Sequence, residues 1–492
     1  MLINNSITFQ QHNSKLTPVP PIFWTLPKTI YDELIKKFPS LVDRNNDTAP
    51  LEWNIVDKFL YGRNEIQASQ SFVLNLCNKY NEASLPYIKQ AQSNLNNLFK
   101  LKDFESDIKT TLNIDVELDD SSYFRGHSSR ALVYCPNQEF EVLKREYQKA
   151  KITDEYVYVL SGSKVSTKSK RTIKNKLLEY QEELESFYQE KDMLPEMIDY
   201  CDLVNELANN QTRLRFITKN IGQAETQLEE WFESGVEPCE SVDAYLHHKR
   251  SIIRVRDNVL NVYRLVKSNS PRVFDLVDQN LHKKLREIIY QGCSDVDLSR
   301  SQLAIIASLS SDDELKQWLE HDNLWLKIGL ETSFPKSVLK KATYTLCFGG
   351  SPKTWVKDST IPINEEEAEE LKRYPFFKTL HKVARGLRSQ INKDGYVAVG
   401  YKKIALGKGF RSRHALARKV QYIESMIIYE VLKTVRNDKR ITLIGAYHDG
   451  ILVNFRDKDN KRINKCLKIM NQVAQDKALQ FGVDNISLEI KS

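Results

Sequence analysis

The sequence predicts an α+β protein of several domains, and three observations predict it. Residues from about 172 to 263 carry the apolar spacing of amphipathic helices. Beyond about 273, short apolar strands alternate with helices, and two of those strands flank an Asp-Gly step. The first hundred and sixty residues read as mixed α/β. Domains are therefore expected over 1–163 (no role assigned), 164–270 (helical) and 271–492. A chain of 492 residues with 41% hydrophobic content can bury cores of that number.

The elements follow in order. Pro18, Pro20 and Pro21 keep the start extended, and Trp24 and Trp53 imply a core. Glu155–Leu160 is rich in β-branched and aromatic residues and reads as a strand ending in the turn Ser161-Gly162-Ser163. A basic stretch follows, with Lys164, Lys168, Lys170, Arg171, Lys174 and Lys176. Leu177, Leu178 and Leu184 then recur among Glu, Gln and Lys as an amphipathic helix requires. Further helices are expected over Met197–Ile217 and Ile221–Phe232, with Gly235 and Pro238 breaking them before another from about Ser241 to Lys267. Such arms suit gripping a duplex, and a solvated helical bundle has the same pattern. Ser294–Leu298 is a short strand leading into a helix, and Pro335 opens a helix that closes at Gly349-Gly350. Arg440–Tyr447 and Ile451–Phe455 are strands joined around His448-Asp449-Gly450 as a hairpin.

Composition narrows the function classes. A net charge of +7, from 72 basic and 65 acidic residues, suits a protein that handles phosphate chains, and many proteins without such a partner share it. The 22 tyrosines fit base stacking and ordinary core packing alike. No run of about eighteen apolar residues occurs, so no membrane span is expected. Met1–Asn5 lacks the basic-then-apolar pattern of a secretion signal. The seven cysteines are dispersed without a Cys-x-x-Cys pair, which argues against a zinc site or a disulfide framework and for a reducing, cytoplasmic location.

Three constellations carry chemistry. In Asp295-Val296-Asp297-Leu298-Ser299 a carboxylate ends a strand and is followed by an apolar helix, a rigid place for a magnesium ligand. Capping of that helix is the plainer reading of Asp297. In the helix from Pro335, Lys336, Lys340, Tyr344 and Phe348 are spaced by four and share one face, while Leu339, Ala342 and Leu346 share another. Two cations followed by two aromatics suit the phosphates, sugar and base of a nucleoside triphosphate. The third constellation is the turn His448-Asp449-Gly450, which lifts a second carboxylate between two buried strands. Each is common alone. Their combination gives two aspartates able to hold the two ions of an in-line displacement, with a cationic helix between them to stabilise the transferring phosphate.

These residues resemble the three motifs of the family A DNA polymerases. Asp297-Leu298-Ser299-Arg300-Ser301-Gln302-Leu303-Ala304, closed by Leu309-Ser310, is similar to the first motif. Lys336, Lys340, Tyr344, Phe348 and Gly349 match the finger helix, and His448, Asp449 and Gly450 match the last motif. Asp394-Gly395-Tyr396-Val397 is similar to the family's Gly-Tyr-Val strand, and Gln421 stands in the helix after it, at the place of a template-contacting Gln. The resemblance covers roughly 273–492. It implies a right-hand fold with an antiparallel palm, helical fingers and a helical thumb before them. It also implies two Mg2+ ions, with Mn2+ as a substitute, bound by Asp297, Asp449 and the Leu298 carbonyl. Lys340 would contact the triphosphate and protonate pyrophosphate, Lys336 would supply charge, Tyr344 and Phe348 would contact the nucleotide, and Gln302 would face its sugar. His448, Gln421 and Gly349 would lie at primer and template. The implied partners are a primed template, most readily DNA, and deoxynucleoside triphosphates, with a replication partner for the N-terminal domain.

Three departures bear on specificity. Gln302 and Phe348 replace a Glu and a Tyr that together exclude ribose, and Gly450 replaces the last motif's Glu. The finger helix also looks like that of the single-subunit phage-type RNA polymerases. An RNA or self-priming polymerase is therefore an alternative, and a catalytically silent nucleic-acid-binding protein with the same fold is another. Asp115-Val116-Glu117 is similar to a proofreading exonuclease motif but lacks partner motifs, so no proofreading is expected.

Overall fold

The computed structural model describes residues 23–42, 66–69, 115–119, 131–135, 138–150, 156–160, 166–168, 170–190, 193–257, 260–265, 271–310, 312–321, 323–357, 363–407, 410–457 and 459–491. Pro18, Pro20, Pro21, Trp53, the 161–163 turn and Lys164 lie outside them, as do the side chains of Asp115, Val116 and Glu117. The protein is mostly helical, with small antiparallel sheets. It divides into two compact units that interleave along the chain: Met1–Phe187 with Leu214–Val262 and Leu276–Gln291, and Tyr188–Arg213 with Tyr263–Asp275 and Gly292–Ser492.

In the first unit, strand Phe23–Pro27 pairs antiparallel with Tyr156–Leu160, which pairs in turn with Ser166–Lys168. Pro27 precedes the helix Lys28–Lys37, which buries Ile30 and Leu34 one turn apart. A second sheet joins Ile66–Ser69, Ala131–Cys135 and Asp115–Asp119. Lys249 is almost wholly buried in the helix Val242–Asp257. Its ammonium donates to the carbonyls of Gln148 (3.2 Å) and Ala150, which satisfies a charge that burial would otherwise penalise.

The second unit is built on a four-stranded antiparallel sheet. In chain order the unit begins with α1 (Pro195–Ala208), the hairpin β1 (Tyr263–Leu265) and β2 (Val273–Asp275), β3 (Ser294–Ser299) and α2 (Ser301–Ser310). Then come α3 (Lys336–Cys347), α4 (Pro375–Asp394), the hairpin β4 (Tyr396–Val399) and β5 (Lys402–Ala405), and α5 (Ser412–Asn437). Last are β6 (Ile441–Ala446), β7 (Gly450–Phe455), α6 (Asn460–Gln480) and β8 (Ser487–Lys491). The large sheet has the order β6-β7-β3-β8, so β3 and β7 are central. Helix α5 packs against α1, α4 and α6, and buries thirteen of its residues from Ala415 to Val435.

Two helix boundaries differ from the sequence expectation. The helix expected over Met197–Ile217 breaks at Asn209 and Asn210, and the one that follows runs unbroken over Gln211–Glu233. Asn210 enforces the break, because its Oδ1 accepts from the N–H of Arg213 (3.0 Å) and so caps the second helix. Its Nδ2 also donates to the Leu443 carbonyl (2.6 Å). The helix expected to reach Lys267 stops at Asp257, and Tyr263–Leu265 is strand β1 instead. Asn205 holds that strand to α1 at both polar groups of one residue. Its Nδ2 donates to the Tyr263 carbonyl (2.9 Å), and its Oδ1 accepts from the Tyr263 N–H (2.8 Å). Asn205→Ala removes both of these bonds, although the Tyr263 carbonyl keeps the Cys201 thiol as a donor (3.1 Å), and is expected to cost on the order of 1–3 kcal/mol in urea unfolding. A cost under about 0.5 kcal/mol, the range of ordinary surface changes, would mean that β1 is anchored elsewhere.

Candidate active site

The pairing of β3 with β7 brings the two sequence-predicted aspartates together. Gly450 stands directly opposite Asp297, and the N–H of Leu298 donates to the Asp449 carbonyl at 2.8 Å. A strand residue's carbonyl points to the same edge as its N–H, so the Leu298 carbonyl also faces the His448-Asp449 turn. Asp297 lies inside the strand with 6% of its surface exposed, and the following helix starts four residues later at Ser301. It is therefore not that helix's cap. Between them, Arg300 takes a positive φ of 52°, a conformation that non-glycine residues adopt at a cost. Its guanidinium donates to the His321 carbonyl (2.8 Å).

The turn itself departs from the expected Asp-Gly geometry. The Tyr447 N–H donates to the Gly450 carbonyl (2.8 Å), so His448 and Asp449 are the two loop residues and Gly450 already belongs to β7. Gly450 is not among the positive-φ glycines. It is needed for space: a Cβ there would fall on Oδ1 of Asp297 and within 2.7 Å of the Val296 carbonyl oxygen. The second carboxylate of the resembled motif cannot be housed at this position without moving the first.

Burial shapes the electrostatics. It raises the affinity of Asp449 for its proton; Arg272 and Lys340 oppose that shift and Asp295 adds to it. The Glu424 side chain on α5 is fully buried and is pushed up to about 7, first by desolvation. It accepts from the Ser301 hydroxyl (2.5 Å) and from the Gln302 amide (3.3 Å), with Asp449 and Arg272 in electrostatic reach. Burial, with Arg272 next, lowers His448 to about 4 and keeps it neutral. Its ring lies edge-on to Phe274 at 4.7 Å, and its buried Nδ1 has no hydrogen-bond partner among the described residues.

Helix α3 presents the expected face. Val338, Leu339, Ala342, Thr343, Leu346 and Cys347 are buried, whereas Lys336 is exposed and Lys340, Tyr344 and Phe348 are half-buried. Tyr344 feels both Glu424 and Asp449, and burial raises its hydroxyl above the ordinary range. The helix ends at Gly349, whose φ of 91° is a conformation that residues with side chains rarely adopt. Thus Asp297, Leu298, Asp449 and His448 meet along the strands, with Lys340, Tyr344 and Gln302 linked to them electrostatically or through Glu424. Gln421 lies half-buried on α5, one helical turn from Glu424.

The donor set fits magnesium. Two carboxylates and one backbone carbonyl are hard oxygen ligands, and magnesium takes few protein ligands while keeping water and phosphate. Among the described residues, no group of three or more His, Cys, Asp or Glu side chains forms a full protein cage. Sequence reasoning gave no role to Asp295, Arg272, Glu424 or Lys491. Asp295 is two residues from Asp297 and thus on the same face of β3, a period-two signal, and Glu424 is three from Gln421. Arg272 and Lys491 carry no local signal. The Lys491 ammonium forms an ion pair with Oδ2 of Asp297.

Gly450→Ala is expected to destabilise the protein by about 1–3 kcal/mol and to displace Asp297. An unchanged melting temperature would contradict the close approach. Between pH 4.5 and about 7 the folded protein holds a proton on Glu424 that the unfolded chain has released. Stability contributed by that carboxyl therefore falls as pH rises through the window, by up to roughly 3 kcal/mol. Glu424→Gln removes the slope, so parallel urea midpoints for wild type and variant across the window would reject the assignment.

No protein-family model matches the chain, and no curated protein matches it. Among solved structures it is similar to the POL domain of Pol1 from M. smegmatis, in complex with DNA primer-template and dNTP. The identity is 14%, 65% of this chain and 73% of that chain are covered, and the TM-score is 0.41.

Proposed function

We propose that the protein is a template-directed nucleotidyltransferase, a DNA polymerase that extends a primer 3′-hydroxyl and does not proofread. The observation that carries this reading is the β3–β7 register, which pairs Gly450, the neighbour of Asp449, with Asp297 across some 150 residues of sequence, together with the electrostatic reach of Lys340 on α3 to Asp449. Within the reading, the four-stranded sheet is the palm, the helices between β3 and β6 are the fingers, and the helical stretch of 164–270 supplies the thumb. Asp297, Asp449 and the Leu298 carbonyl hold two magnesium ions. Held there, the ions would supply activation of the 3′-hydroxyl and stabilisation of the pyrophosphate leaving group.

The remaining work belongs to side chains. Lys340 binds the triphosphate and donates a proton to the departing pyrophosphate, and Lys336 adds charge farther out. Tyr344 and Phe348 lie against sugar and base, since the half-buried end of α3 is its aromatic end. Gln302 faces the sugar. Its amide donates to Glu424 (3.3 Å), which would hold Gln302 in place against the sugar. His448, neutral at working pH, meets the primer end with Gln421 and Gly349 near the template.

Primer extension on a DNA template with magnesium, comparing deoxynucleotides with ribonucleotides, tests the reading. Deoxynucleotide extension that Asp449→Asn abolishes is the expected result. Ribonucleotide extension would make the chain an RNA polymerase. Duplex binding with no incorporation, indifferent to Asp449→Asn, would leave a silent nucleic-acid-binding protein. Lys340→Ala should slow incorporation by about 10²–10³-fold while duplex affinity barely changes. Equal loss of both would move Lys340 from the triphosphate to the duplex.

A further inference from the structure

Asp297 is a buried carboxylate on a central strand, and such a group needs a counter-charge close by. Among the described residues that charge is the ammonium of Lys491, ion-paired with Oδ2. The pairing follows from register. Strand β8 sets Glu489 opposite Asp297 and Lys491 opposite Asp295. Cross-strand neighbours project on the same face, so Lys491 shares a face with both aspartates and reaches Asp297 diagonally. The two partners differ in freedom. The Asp297 side chain is 8% exposed and hemmed in on the β7 side by the backbone of Gly450, whereas the Lys491 side chain is 50% exposed on an edge strand.

We propose that Lys491 is an internal placeholder cation that competes with the divalent ion for Asp297, and so sets how tightly the site takes metal. This rests on Asp297 being a metal ligand, as read above. Two cations on one carboxylate repel each other, and the mobile partner yields. Lys491 withdraws along its flexible stem toward solvent and toward Asp295, the carboxylate directly opposite it. The device keeps a buried carboxylate paired at every stage of metal exchange. Its consequence is weaker metal binding than the same oxygens would give without it.

The test is Mn2+ affinity by calorimetry on the full chain without nucleic acid, for wild type, Lys491→Met, Lys491→Arg, Asp297→Asn and the double variant Lys491→Met with Asp297→Asn. Lys491→Met should bind Mn2+ at least about fivefold more tightly, the lower end of coupling between ligands that compete through one group. Lys491→Arg keeps the charge and should restore wild-type affinity. A second readout is acetylation of Lys491 by an amine-reactive ester, followed by mass spectrometry. Mg2+ should increase it. Unchanged Mn2+ affinity in Lys491→Met, with Asp297→Asn still weakening binding, overturns the placeholder alone. Mn2+ binding that ignores Asp297→Asn in both backgrounds overturns the metal site itself, and the placeholder with it.

Discussion

The close approach of Gly450 to Asp297 is the constraint on which the rest of the site depends. Central strands in a four-stranded sheet leave little room, and here one residue gives up its side chain so that the other can keep a buried carboxylate. The same register turns the Leu298 N–H and carbonyl toward the Asp449 turn and fixes the hairpin loop at two residues. A one-residue slip would carry Asp297 to the opposite face and replace it with Leu298 or Val296. Position, charge and space at the site are thus set by one pairing.

Around that pairing the protein handles buried charge in three ways. Asp449 is balanced by Arg272 and Lys340, Asp297 by Lys491, and Glu424 by hydrogen bonds from Ser301 and Gln302 together with a raised proton affinity. Each carboxylate has a different kind of partner, so each responds differently to a cation, a proton or a change of solvent. The Arg300 backbone conformation lies between Asp297 and the Ser301-Gln302 pair that Glu424 holds. Strain tolerated at such a junction is what a turn does when its flanking side chains have fixed partners.

Supporting elements carry this arrangement through polar anchors rather than apolar area alone. Asn205 grips both backbone groups of Tyr263, and the Tyr263 hydroxyl accepts from the Ala446 N–H (3.2 Å), at the end of β6 just before the His448-Asp449 turn. Asn210 reaches Leu443 on the same strand. The end of α1 and the residues just after it thereby steady β6, which leads into the His448-Asp449 loop.

Period and turn chemistry were enough to read β3 with its following helix, the face of α3 and the β6–β7 hairpin, because each is decided by neighbours a few residues apart. Spacing by four marked Lys336, Lys340, Tyr344 and Phe348 as one helix face, and only the order of three separate motifs joined that face to Asp297 and Asp449. Local pattern did not give strand β1 at Tyr263–Leu265 in place of helix, since that strand is held by Asn205, 58 residues away in sequence. Gly450 was legible as a glycine in a turn and illegible in its reason, which is the space taken by a residue on another strand. Arg272, Glu424 and Lys491 come from segments far from the aspartates in sequence, and pairing across the sheet and packing of α5 bring them in. Local sequence pattern placed the candidate residues on their strands and helices, because period and turn chemistry act between near neighbours. Only the tertiary structure decided which charges face one another, because burial and strand register act between residues that no local period connects.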